Sequence, residues 1–148
     1  MLKSRRSRLR QFFEEYSLNA VLFTDMMNIR YLCGFSGTEG ALLIAQDHSW
    51  FLCDSRYTLQ AAEEVQAAEI RECGAIRIDT VAALAHEYGL NRIGFEASHT
   101  TISALRQLSE KLSGVELVEL GSNLDEIRIC KDEAEIEQLT GDMATAPA

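Results

Sequence analysis

The sequence predicts an α/β domain, a three-layer αβα sandwich around a central mixed β-sheet. Three observations lead there. Short apolar runs that suit buried strands alternate with segments of helical periodicity, an alternation that builds a sheet covered on both faces. The segment "ALLIAQDHSWFLC" reads as two strands around a turn at Gln46 to Ser49, so one hairpin interrupts an otherwise parallel sheet and makes it mixed. The chain of 148 residues, 47% hydrophobic and 25% charged, fits one globular domain with its own core.

The first sixteen residues, "MLKSRRSRLRQFFEEY", read as a helix whose apolar stripe is Leu2, Leu9, Phe12, Phe13 and Tyr16. Five of the fourteen basic residues (Lys3, Arg5, Arg6, Arg8, Arg10) lie here, read as the solvated face of that helix. Glu14 and Glu15 fall where a signal peptide would need its apolar centre, so the segment is not an export signal. "AVLFT" is a buried strand, and "DMMNIRYLC" a short helix with Asp25 as N-cap and Met26, Ile29, Leu32 and Cys33 on one face. The hairpin strands come next. "DSRYTLQAAEEVQAA" is rich in helix formers, with Asp54 or Ser55 as N-cap and Tyr57, Ala61, Val65 and Ala68 along one side. "EIRECGAIRI" alternates as a strand, and "DTVAALAHEYGL" is a helix capped by Asp79 and stopped at Gly89. "RIGFE", "TTISALRQLSEKLSG" and "VELVEL" complete the pattern as strand, helix and strand. Residues 1–121 form the domain; 122–140 read as charged connector helices, and 141–148 as a small-residue tail.

Composition excludes several functions. A net charge of -9 argues against a nucleic-acid partner, because binding a polyanion rests on neutralising phosphate. No apolar run approaches the ~20 residues of a membrane span. Cys33, Cys53, Cys73 and Cys130 lie far apart in apolar settings, which reads as buried thiols in a reducing cytoplasm. His48, His86 and His99 show no metal-ligand spacing, and no G-x-S-x-G elbow is present.

Two places remain chemically unusual. In "NIRYLCGFSGTEG", residues 28–40, three glycines recur every third position after Asn28, Arg30 and Tyr31, yet they follow a helix and precede a strand, the reverse of a phosphate loop. In "DSRY", Arg56 falls in the first turn of a predicted helix, where the macrodipole opposes a cation by ~0.3 to 1 kcal/mol. An ion pair with Asp54 or another surface acid, or an anionic group on a ligand or neighbouring subunit, would each favour it.

"NIRYLCGFSGTEG", "FLCDSRYTLQA", "RIGFE" and "IRICKDEAEI", in this order, resemble the N-terminal domain of the creatinase, prolidase and aminopeptidase P family, most closely its bacterial Xaa-Pro peptidases. The resemblance covers about residues 5 to 139. It implies a non-catalytic domain that helps build an oligomer, such as a dimer, and restricts entry to a metallopeptidase site often belonging to a neighbouring subunit. It further implies that the two divalent metals (manganese, cobalt or zinc) belong to a catalytic domain whose ligands match no position here, so this chain carries no metal or cofactor. Partners implied are that catalytic domain, further copies of the chain, and proline-containing peptides, with no nucleic acid or membrane. The substrate-facing candidates are Arg56, Tyr57, Asn28 and Tyr31. In the family picture Tyr31 and Phe35 pack around the glycine loop. A stand-alone binding or dimerisation module of the same fold is the alternative.

Overall fold

A computed structural model describes residues 2–74, 77–121, 124 and 127. The elements in chain order are α1 (Leu2–Ser7), α2 (Arg10–Tyr16), β1 (Ala20–Phe23), α3 (Met26–Cys33), β2 (Ala41–Ala45) and β3 (Ser49–Cys53). They continue with α4 (Thr58–Glu64), β4 (Glu69–Glu72), α5 (Arg77–Tyr88), β5 (Arg92–Glu96), α6 (Ile102–Lys111) and β6 (Glu116–Leu120). The six strands form one sheet in the order β4-β3-β2-β1-β5-β6. Only β2 runs against the others, since its pairings with β1 and β3 are antiparallel and all the rest are parallel.

Side chains alternate across a strand, so the sheet sorts its residues into two apolar layers. Val21, Phe23, Leu42, Ile44 and Phe51 pack with Leu9, Phe12 and Phe13, with Ile29 and Leu32 of α3, and with Ala61 of α4. Ala20, Leu22, Leu43, Trp50 and Ile93 pack on the other side with Val81, Leu84 and Ala85 of α5 and Leu108 of α6. The predicted three-layer sandwich is therefore the observed one.

Several predicted boundaries move. The N-terminal helix breaks at Arg8 and Leu9, and its arginines are not simply solvated. Arg5 donates to the Tyr31 carbonyl at 2.8 Å, while Arg6 reaches Ser49 Oγ at 2.9 Å and the carbonyls of Leu32, Gln66 and Ala67. Arg8 donates to Tyr31 Oη at 2.8 Å and to the Ile127 carbonyl at 2.9 Å. Tyr31 and Leu32 lie in the last turn of α3, whose carbonyls have no partner inside the helix; guanidinium groups supply one. Burial lowers the pKa of Arg6. The side chains of Leu2 and Lys3 lie outside the described residues.

The fourth helix starts at Thr58, because Asp54 is engaged in a turn: its Oδ1 accepts the Arg56 N–H at 2.9 Å and its carbonyl the Tyr57 N–H at 3.1 Å. The strand predicted over 69–78 stops at Glu72. Its neighbour β3 ends at Cys53, opposite Glu72, so no ladder remains to pair with, and Arg77 and Ile78 open α5 instead. Asp79 thus falls within the first turn of α5 and is not its cap. Thr101 caps α6, accepting the Ala104 N–H at 3.1 Å, and Gly89 closes α5 with φ +65°. The connector at 122–140, apart from Leu124 and Ile127, and the tail at 141–148 lie outside the described residues; those two side chains are buried against the first layer.

Phe51 joins this fold to the glycine loop, since it is fully buried and its ring lies 4.5 Å from that of Phe35. Phe51→Ala is expected to cost about 3 to 5 kcal/mol. Chemical denaturation with an unchanged slope would confirm the size of the loss; a change under 1.5 kcal/mol would mean that the layer closes over the gap.

Candidate functional site

All the parallel strands end along one edge of the sheet, and β2 begins there, because Ala41 pairs with Leu52. The glycine loop Gly34–Gly40 arrives at that edge, where its Thr38 and Glu39 lie beside the turn 54–57. Arg56 Nη2 lies 2.7 Å from Asp54 Oδ2 and 3.0 Å from Glu39 Oε2, so the guanidinium bridges turn and loop. Tyr57 and Thr38 share a hydroxyl hydrogen bond of 2.9 Å, and the Phe35 ring meets the Tyr57 ring edge-on at 6.1 Å.

The glycines serve this packing. Gly34 ends α3 with φ +87°, a conformation that costs a side chain strain. At Gly37 a Cβ would come 2.4 Å from the Phe35 ring, so the loop can fold over that buried ring only with glycine there. The far side of the loop is tied to α4: the Ser36 hydroxyl donates to Glu64 Oε1 and the Ser36 N–H to Oε2 at 3.1 Å. These bonds hold the Glu64 carboxyl below the usual carboxylate range, as the Arg56 hydrogen bond does for Asp54.

Arg56 and Tyr57 of the sequence candidates therefore meet, and the structure adds Thr38 and Glu39. Glu39 gave no signal beyond standing in a glycine run. Arg56 lies outside the helix whose macrodipole was expected to oppose it, since α4 begins two residues later. Its side chain is 68% exposed and has two acidic partners. Asn28 sits elsewhere, 1% exposed, donating through Nδ2 to Glu96 Oε2 at 2.6 Å. Tyr31 turns toward the N-terminal helix, its ring 4.3 Å from the Arg5 guanidinium; Phe35 packs under the glycine loop as expected, but Tyr31 does not.

Among the described residues no group of three or more His, Cys, Asp or Glu could hold a metal ion, so a dinuclear metal set does not fit the side chains present. Cys33, Cys53 and Cys73 are buried free thiols, and burial raises the pKa of Cys33 and Cys53. No helix among the described residues is long and apolar enough to cross a membrane.

The family model of the Creatinase/Prolidase N-terminal domain matches residues 5–130. A Bacillus subtilis (strain 168) protein described as uncharacterized peptidase YqhT is 34% identical over 132 residues, which are 89% of this chain and 37% of that protein. An Xaa-Pro dipeptidase from Bacillus anthracis superposes with a TM-score of 0.85 at 29% identity, over 93% of this chain and 38% of that one. The N-terminal domain of the cytoplasmic peptidase PepQ from Mycobacterium tuberculosis H37Rv superposes with a TM-score of 0.77 at 32% identity, over 84% of this chain and 98% of that domain. The chain spans little more than a third of the B. subtilis relative.

The loop's anchors make it acid-sensitive. A carboxyl whose pKa is depressed by folding stabilises above its unfolded value and loses that contribution as pH falls through the folded one. Lowering pH from 7 to below the ordinary carboxylate range, about 4, is expected to release amide protection at Ser36 and Arg56 while Leu43 in β2 stays protected. Hydrogen exchange followed by NMR reads this directly. Glu64→Gln should remove the pH dependence at Ser36; simultaneous loss at Leu43 would show that the loop does not open separately.

Proposed function

This chain belongs to the creatinase/prolidase N-terminal domain family, and from that membership we propose that it serves as the non-catalytic N-terminal domain of an Xaa-Pro dipeptidase or aminopeptidase. In this reading it contributes to a dimer or higher oligomer and narrows the entrance to a metal-dependent active site carried by a catalytic domain. The buried thiols suit a reducing cytoplasm. The observation that carries the proposal is the bridge from Glu39 through Arg56 to Asp54, together with the Thr38–Tyr57 bond. It holds an exposed guanidinium on a braced turn, which suits recognition of a peptide carboxylate or carbonyl across a subunit boundary. The manganese, cobalt or zinc pair would supply the hydrolytic water from the catalytic domain, and this chain would supply shape and charge at the entrance. Asn28 and Tyr31 then act by holding α3, with Arg56 as the substrate-facing group and Tyr57 as its support.

The test joins this chain to its catalytic domain and measures Xaa-Pro peptide cleavage. Arg56→Ala should lower kcat/KM about tenfold or more with nearly unchanged melting temperature and sedimentation. Full activity on every Xaa-Pro substrate, or an effect confined to the melting point, would return Arg56 to the role of a surface ion pair. Tyr57→Ala should destabilise by about 1 to 3 kcal/mol, less than the loss of a fully buried ring. Alone, the 148-residue chain is expected neither to cleave such peptides nor to retain metal after dialysis against chelator. Cleavage with stoichiometric metal would overturn the proposal.

A further inference from the structure

The helix after β1 leaves on one face of the sheet and the helix after β5 on the other, although the two strands are parallel neighbours. Their carboxyl ends therefore part, and a crevice at such a switch in topology is where open α/β sheets take up ligands. A cavity of about 300 Å³ lies there, on the face that carries α5 and α6. This volume is at the small end for a small-molecule site. Its floor includes Leu22, Val81 and Phe95, and polar groups at its mouth include Thr24, Arg77 and Thr101.

Arg77 is the feature that gives the cavity a chemistry. It is the first residue of the twelve-residue α5, half-buried, and it lines the cavity. Asp54 feels the Arg77 charge but is already engaged by Arg56. Among the described residues no hydrogen bond or ion pair occupies the Arg77 guanidinium. The amino end of α6, capped by Thr101, adds a field that favours an anion at the same mouth.

We propose that this cavity is a binding site for a small carboxylate with a compact apolar body. The carboxylate is held by Arg77 with the Thr101 hydroxyl at the mouth, and the body rests on Leu22, Val81 and Phe95. A single guanidinium above an apolar floor suits a monoanion with a hydrocarbon part better than a free phosphate, whose remaining oxygens would meet carbon. The site does not depend on the peptidase reading, because it involves neither Arg56 nor the glycine loop.

The probe is 4-methylpentanoate, titrated into the 148-residue protein and followed by amide NMR shifts. Saturable binding is expected at about 1 to 10 mM, with shifts centred on Thr24, Ile78, Phe95 and Thr101. The uncharged 4-methylpentanamide should bind about tenfold more weakly, and Arg77→Gln should abolish the preference for the acid. Ala104→Leu, which fills the cavity from α6, should remove binding of both. Absence of saturable shifts, shifts centred elsewhere, or equal binding of acid and amide to the unaltered protein would overturn the proposal. If Arg77→Gln does not fold, the comparison of acid with amide decides alone.

Discussion

The architecture hangs on one buried carboxylate. Glu96, at the end of β5, is 3% exposed, and a buried charge is tolerated only where hydrogen bonds replace its water. Its Oε1 accepts the N–H groups of Thr24 and Asp25, the latter at 2.9 Å, and its Oε2 accepts the Asn28 amide at 2.6 Å. Donors and acceptor are some seventy residues apart in sequence. The contact thus fixes the parallel pairing of β1 with β5 and the point at which α3 starts. Asp25 caps that helix through its own side chain, accepting the Met27 N–H at 3.0 Å. With its start held, α3 runs back to Gly34 beside the end of α4, and the glycine loop returns from there to the edge where Thr38 and Glu39 meet the turn at 54–57.

The two faces of the sheet then solve their polar problems differently. On the first, the carbonyls at the end of α3 and in the bend at Gln66 and Ala67 are met by arginines from the N-terminal helix. Ala67 adopts φ +61° there, a strained conformation for a residue with a side chain, and the Arg6 guanidinium bonded to its carbonyl helps to hold it. On the second face two helices cover the same sheet, and the coverage leaves the cavity beside Arg77. The crowded face is braced by cations within the fold, whereas on the sparser face Arg77 lines an open cavity.

This contrast explains what the sequence disclosed and what it withheld. Periodicity exposed every strand and the three-layer class, because burial on one face imposes it locally. The helix at 26–33 was readable to its cap, since both Asp25 and Gly34 act within a few residues of it. Boundaries failed where distant partners decide: α4 starts late because Asp54 takes up Arg56, and β4 stops early because β3 does. The N-terminal arginines looked solvated because their carbonyl acceptors lie more than twenty residues away. Arg56 and Tyr57 were recognisable as unusual from their own neighbourhood. Glu39 and Thr38 became their partners only through the return of the chain at the sheet edge, as Asn28 was claimed by Glu96 from across the sheet.

Support and chemistry ask different things of a carboxyl group. A residue that is to exchange protons in a reaction must be free to change its bonds at the working pH. At the carboxyl edge Asp54 is engaged by Arg56 and Glu96 by backbone N–H groups and Asn28; away from it, Glu64 is bonded to Ser36 and Glu69 to His48, the latter at 3.0 Å. The carboxyls of Asp54, Glu64 and Glu69 are all shifted toward the ionised form by those bonds, the opposite direction from a general acid held protonated at neutral pH. Such groups hold loops in place and present fixed charge. An edge built in this way can hold its loops in register and seat a ligand with little reorganisation.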